Sequence, residues 1–288
     1  MSQQPFFSII TICRNEASNI HLTADSVIKQ TYKNYEWLII DGNSTDDTLK
    51  ILQTYKKHIH LLESKHDKGI YAAMNRGIKK VNGCYIIFMN GGDFFANKHV
   101  LARVHRFIKN DKEKHGLYHG DGLMHHNQPN KLLPYWQRPS IYKHKKATDF
   151  SLYEQPLPHQ CCFFKKNLFD IYGLYDKTYK VYGDLDFCMR SRRAKNIYMN
   201  FYVAVQNNNS WNERVMDKKA NYNMFMELMK IRFNNYHLLT IIWFESIFMA
   251  RDITGHIRYI IFTIYFFRLS FLHKPWRAFK KILMTKKK

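Results

Sequence analysis

The 288-residue sequence predicts an α/β fold, with a mostly parallel central sheet flanked by helices and a C-terminal helical extension. Strand-length apolar runs alternate with helix-length stretches through the first part of the chain, the order of a sheet built from βα units. The runs at 6–13, 36–40 and 85–89 are β-branched, aromatic and nearly all apolar, as central strands covered on both faces must be. From Lys218 onward the pattern is helical to the end. The length and the 45% hydrophobic content suit one α/β domain, 1–215, with an appendage, 216–288, better than two complete domains.

In chain order, strands are expected at 6–13, 36–41, 60–63 and 85–90, separated by helices at 17–30, 45–57 and 70–80 and followed by a helix at 98–110. Around 117–147 the alternation breaks into short strand-like pieces rich in His, Pro and Lys, the composition of an irregular substrate-facing region. A strand at 161–164, a helix starting near Lys166, a helix at 184–195 and a strand at 197–203 complete the domain.

Polar clusters follow the strands: Arg14-Asn15-Glu16, Asp41-Gly42-Asn43-Ser44, Asp67-Lys68-Gly69 and Asn90-Gly91-Gly92-Asp93. In open α/β sheets the ligand crevice lies outside the carboxyl ends of the strands, so these clusters gather where a polar, phosphorylated ligand would sit. Arg14 opens a helix and offers a guanidinium beside its N-terminus, a natural anion site. Asp41 fits a hydrogen bond to a nucleobase imide or a ribose hydroxyl; the plain alternative is that Asp41 holds a turn while Ser44 or Asp46 caps a helix. Two glycines before Asp93 suit a close approach of diphosphate and a hard cation, Mg²⁺ or Mn²⁺, against a turn in which Asp93 merely caps the next segment. Further on, Asp184 and Asp186 start a helix; capping accounts for one, and a carboxylate that takes a proton from an attacking hydroxyl would account for the other.

A net charge of +22 favours an anionic partner. Part of it is local: from Arg268 to the terminus there are eight basic residues and no carboxylate. Ahead of it lie apolar stretches at 238–250 and 259–267, each shorter than the ~20 residues needed to span a bilayer. Aromatic-rich apolar helices with interleaved lysines fit an anionic membrane interface. The other reading packs them on the main domain or on a second copy in a homo-oligomer, with the lysines solvated. Residues 1–5 show no secretory signal, so the protein is expected in the cytoplasm, with the basic C-terminal segment expected to hold it peripherally on the inner face of the membrane. The five cysteines have neither zinc nor disulfide spacing and are expected as buried thiols.

Together these residues resemble the inverting nucleotide-sugar glycosyltransferases of family 2, with the GT-A fold, in their bacterial polysaccharide and lipopolysaccharide branch. The resemblance rests on Ser8-Ile9-Ile10-Thr11 through Glu16, Asp41 through Thr48, Asp67-Lys68-Gly69-Ile70-Tyr71-Ala72-Ala73-Met74-Asn75-Arg76-Gly77, Phe88 through Asp93, His159-Gln160 and Gly183-Asp184-Leu185-Asp186. It implies that 1–97 is the nucleotide-sugar half and 98–215 the acceptor half. Thr11, Arg14, Glu16 and Asp41 would hold the nucleoside. Asp67, Gly69 and Asn75 would line the diphosphate and sugar, with Asn43, Asn90, Gly91 and Gly92 in the same set. Asp93 matches the last carboxylate of the metal motif, His159 and Gln160 face the acceptor, and Asp184 matches the catalytic base. Asn90 replaces the motif's first Asp. Gly183 stands where many members have Glu, leaving Asp184 as base and Asp186 behind it. Trp211 either closes over the sugars or tucks onto the core.

The implied reaction carries a sugar from a nucleoside-diphosphate sugar, a UDP-sugar, to a glycan or lipid-linked acceptor with inversion. A nucleotide-dependent oxidoreductase is excluded because residues 11–15 after the first strand contain no glycine. A nucleic-acid-binding protein without catalysis is the competing reading of the charge; acidic and amide residues at the strand ends oppose it.

Overall fold

The computed structural model describes residues 4–125, 132–134, 157–207 and 218–235. Four strands, β1 (Phe7–Cys13), β2 (Tyr35–Asp41), β3 (Leu61–Ser64) and β4 (Tyr85–Phe88), run parallel in the spatial order β3-β2-β1-β4. Every residue of β1 and β4 is buried, which is why both read as nearly all apolar runs. Cys13 pairs with Asp41 and Asp41 with Ser64, so β1, β2 and β3 end level at one edge. The helices between them, α1 (Ile20–Ile28), α2 (Thr48–Thr54) and α3 (Ile70–Ile78), return the chain to the opposite edge each time.

At the amino edge Glu36 is buried, and its carboxylate accepts from Ser8 Oγ at 2.6 Å and from the backbone N–H of Gly83 at 3.0 Å. A buried charge needs such donors to offset lost hydration. It thereby locks β1, β2 and the turn into β4 together.

Beyond β4 the sheet becomes mixed, in the order β8 (Cys162–Lys165), β6 (Leu117–His125), β9 (Asn196–Asn207) and β5 (Phe94–Phe95), with β7 (Leu132–Pro134) paired to β6. Helix α4 (Val100–Asn110) covers this half; α5 (Asn167–Tyr172) and α6 (Gly183–Arg190) lead back toward β9. The stretch expected as irregular from 117 thus begins with a nine-residue strand. Its polar and glycine residues disguise it. A Cβ on Gly120 would lie 2.6 Å from the Phe201 carbonyl oxygen, and the β6–β9 register shifts at this point, so glycine is what the close approach requires. Asp121 of the same strand accepts from the Tyr198 hydroxyl at 2.6 Å. The remainder of that region, 126–131 and 135–147, lies outside the described residues.

The long helix α7 (Lys218–Asn235) belongs to the same compact unit, which continues through Asn235. Ile231 is fully buried, and Arg192 donates to the Asn235 carbonyl at 3.2 Å. Among the described residues no helix is long and apolar enough to cross a membrane. The apolar and basic stretches from 238 onward lie outside them.

Helix α3 meets the sheet through Gly77, where an added Cβ would fall 2.6 Å from Ile10 Cγ2 and 3.2 Å from its Cδ1. Alanine would gain up to about 1 kcal/mol of helix propensity. Ile10 is wholly buried and has nowhere to move, so overpacking of about 1–3 kcal/mol outweighs that gain. Gly77→Ala is expected to lower the urea midpoint of unfolding; a midpoint raised above the wild type would show that the interface can yield.

Candidate active site

A cleft of about 470 Å³ opens at the carboxyl ends of the parallel strands. Arg14 and Glu16 after β1, Asp67 and Gly69 ahead of α3, and Asn90 to Asp93 after β4 line one side. His159, Gln160 and Asp184 line the other. Arg14 and Asp184, 170 positions apart in the chain, therefore share one cavity.

The β4 turn is shaped by Gly92, whose φ of +92° only glycine adopts readily. The turn presents Asp93 to the protein interior. Its carboxylate, 5% exposed, accepts from Gln160 Nε2 at 2.8 Å and from the Asn207 backbone N–H at 2.9 Å. Burial pushes the Asp93 pKa up to about 6, although both hydrogen bonds pull it down. Glu16 rises to about 7, first from burial and further from the nearby charge of Asp93, against a lowering hydrogen bond from Asn19.

His159 links the two sides of the cleft. Its Nδ1 lies 2.9 Å from Asp184 Oδ2 and its Nε2 lies 2.9 Å from Asn90 Nδ2. With a carboxylate on Nδ1 and an amide nitrogen on Nε2, the tautomer that satisfies both carries its proton on Nδ1. Asn90 Oδ1 is then buried with no hydrogen-bond partner. Asp184 also receives the backbone N–H of Leu185 at 2.8 Å and lies 3.4 Å from the Tyr71 hydroxyl.

Five expected residues stand behind the cleft instead of lining it. Thr11 is buried and accepts from the Trp37 indole N–H at 2.9 Å. Asp41 is completely buried, holding the Ser44 backbone N–H at 2.9 Å, the Ser44 hydroxyl and Ser64 Oγ at 2.6 Å. Both its oxygens are occupied by its own turn and by β3, so the turn-holding reading of Asp41 is the one its geometry supports, and Gly42 beside it lines the cleft. Asn43 supplies the left-handed residue of that turn, φ +64°. Asn75 clamps the Tyr175 backbone, donating to its carbonyl at 2.8 Å and accepting from its N–H at 3.0 Å. Asp186, 5% exposed, is paired with Arg190 Nε at 2.8 Å and turned away from the cavity, which leaves Asp184 as the carboxylate in reach of a ligand. Trp211 lies outside the described residues.

Among the described residues no three His, Cys, Asp or Glu side chains converge as a metal cage. The oxygen donors among the lining residues, Asp93, Glu16 and the orphaned amide oxygen of Asn90, are of the hard type that would suit Mg²⁺ or Mn²⁺ with ligand phosphates completing the shell.

The profile of glycosyl transferase family 2 matches residues 8–172, more than half of the chain. The chain is a family 2 glycosyltransferase. A PGL/p-HBAD biosynthesis glycosyltransferase of Mycobacterium bovis is 30% identical over 211 residues, 70% of this chain and 77% of the relative. A glycosyltransferase of Rickettsia prowazekii is 29% identical over 205 residues, 70% and 63% of the two chains. In fold, the transferase resembles residues 1–349 of S. aureus TarS in complex with UDP, with a TM-score of 0.61 at 18% identity, covering 78% of this chain and 63% of that one. It also resembles the mannosyltransferase PcManGT of Pyrobaculum calidifontis, in complex with GDP-Man and Mn²⁺, with a TM-score of 0.55 at 15% identity over 98% and 84% of the chains. The likeness establishes the GT-A fold.

Sequence reasoning missed several lining residues of the transferase: Asn19, Lys180, Tyr182, Gln206 and Asn207. Gln206 and Asn207 end β9 and open the polar run 206–210, the one signal that could have marked them.

Because Glu16 and Asp93 bind protons more tightly folded than unfolded, the native state carries the excess protons and stability falls as pH rises from each unfolded value to each folded one. For Glu16 that window runs from 4.5 to about 7 and for Asp93 from 3.8 to about 6. Urea unfolding across these windows is expected to show declining midpoints in the ligand-free protein and a shallower decline in Glu16→Gln; an unchanged slope in the variant would contradict the assignment.

Proposed function

We propose that this transferase moves a sugar from a UDP-sugar to a hydroxyl of a glycan or lipid-linked glycan, with inversion, in bacterial surface polysaccharide synthesis. One observation carries the reading: Asp184 faces the Asn90–Asp93 turn across a single cleft, with His159 bridging them at 2.9 Å to each side. The nucleoside would lie along Arg14 and Gly42, with the diphosphate toward Gly69 and the N-terminus of α3, where the helix dipole favours an anion. TarS with UDP or UDP-GlcNAc, and PcManGT with GDP-Man and Mn²⁺, support a nucleotide-sugar donor here.

Asp184 acts as general base. It takes the proton of the acceptor hydroxyl, that oxygen bonds to the anomeric carbon, and the bond from carbon to phosphate oxygen breaks with its electron pair leaving on the nucleoside diphosphate. Attack opposite the leaving group inverts the anomeric centre. The single displacement needs no covalent intermediate, and burial holds the thiol of Cys13, which lines the cleft, far above the ordinary range, so it supplies no thiolate nucleophile. Asp93, with Asn90 and Glu16, would hold Mg²⁺ or Mn²⁺, which when bound offsets charge on the diphosphate. Gln160 holds Asp93, and with His159 borders the acceptor side.

Release of nucleoside diphosphate from UDP-, GDP- and dTDP-sugars, with and without Mn²⁺, tests the reading. One donor is expected to turn over with metal, Asp184→Asn to lose about 10²–10⁴-fold in kcat, and Asp93→Ala to lose metal-dependent turnover. Absence of nucleotide binding altogether would overturn it.

We also propose that the basic, aromatic segment after Asn235 holds the enzyme on the cytoplasmic face of the membrane, near a lipid-linked acceptor. The full chain is expected to sediment with phosphatidylglycerol vesicles and the chain ended at Asn235 to stay in solution; equal sedimentation of both would refute this.

A further inference from the structure

We infer that Glu227 of α7 is a positioning residue for the transfer step, fixing from outside the cleft the loop that delivers Asp184; the inference rests on the base role proposed for Asp184. The Glu227 carboxylate accepts three consecutive backbone N–H groups: Lys180 at 2.7 Å on Oε1, and Val181 at 3.0 Å and Tyr182 at 3.2 Å on Oε2. Lys180, Val181 and Tyr182 all line the cleft, and Tyr182 directly precedes α6, on whose first turn Asp184 sits. Hydrogen bonds to an ionised acceptor are the strong kind, and three on one carboxylate fix both its position and that of the loop.

The same loop is held from inside. The Tyr71 hydroxyl donates to the Val181 carbonyl and lies 3.4 Å from Asp184 Oδ1, so Tyr71 touches loop and base together. Its ring leaves no room at Gly183, where a Cβ would come within 2.7 Å of Tyr71 Cε2. The loop is thus gripped on its N–H side by Glu227 and on its C=O side by Tyr71.

Helix α7 presents Glu227 from a fixed platform. Ile231 is fully buried, the Lys230 ammonium lies 4.6 Å from the centre of the Tyr179 ring, and Arg192 donates to the Asn235 carbonyl at 3.2 Å. Glu227 does not itself line the cleft, so its removal takes away no side chain that a donor in the cleft would touch. What it changes is the placement of the base. A displacement of about 1 Å at a reacting group costs about 10²-fold in rate.

The test compares the full-length wild type with Glu227→Ala, Glu227→Gln, Asp184→Asn and the double variant Glu227→Ala/Asp184→Asn. Measured are nucleoside diphosphate release with the donor found above, UDP affinity, and amide hydrogen exchange at residues 180–182. Glutamine keeps one acceptor oxygen for three donors, so the milder variant also guards against misfolding in the harsher one. The expected result is a kcat lower by about tenfold in Glu227→Gln and about 10²-fold in Glu227→Ala, with UDP affinity and donor KM within about twofold of wild type, and faster exchange at 180–182. In the Asp184→Asn background Glu227→Ala should cost nothing further, because the group it positions is gone. Wild-type kcat in Glu227→Ala while Asp184→Asn is inactive overturns this inference alone, as does a fully additive double variant. Wild-type kcat in Asp184→Asn overturns the base assignment and this inference with it.

Discussion

The site depends on one buried carboxylate. Asp93 ends the turn after the last parallel strand, and its two oxygens are taken by Gln160, from the turn into β8, and by the backbone of Asn207, at the end of β9. Those bonds join the parallel half of the sheet to the mixed half and so create the cleft between them. They do not neutralise the charge. Burial holds Asp93 near pH 6, and Glu16 beside it is raised further, so the ligand-free site is under electrostatic stress that protons relieve. A hard cation with a diphosphate would relieve it as well.

A second layer of polar residues keeps the strand-end loops in place. Asn15 Oδ1 accepts from the Thr45 backbone at 2.8 Å, Asp46 from Ala17 at 3.0 Å and Thr48 Oγ1 from Glu16 at 2.8 Å, stitching the loops after β1 and β2 to each other. Asp41 ties the ends of β2 and β3, and Asn75 ties α3 to the Tyr175 backbone ahead of α6. Such residues carry the composition of a binding site without lining the cleft. Preorganised loops of this kind spare the ligand the cost of ordering them.

The parallel half was legible because its strands are buried on both faces and its helices begin and end at polar turns; expected and observed bounds differ there by a few residues. The cleft location was legible for the same reason, since polar clusters at parallel strand ends can only face one edge. What sequence could not separate was a residue that lines the cavity from one that braces it. Asp41 and Asp67 each stand in a polar cluster after a strand, and only the coordinates show Asp41 enclosed by two serines while Asp67, bonded to Arg76 at 2.9 Å, borders the cavity. Strand β6 was hidden by Gly120 and Gly122, the first of which close packing against β9 demands. Long-range partners such as Glu227 and the 180–182 loop have no local signature at all.

The most direct test of the account is an amide hydrogen-exchange footprint of the full chain with and without UDP and Mn²⁺. Slowed exchange is expected at 14–16, 42–44, 67–72 and 90–93, the loops at the carboxyl edge and the first turn of α3, and not at the opposite edge around 82–84. Protection confined to other surfaces, or none at saturating nucleotide, would contradict the assignment of this cleft as the donor site.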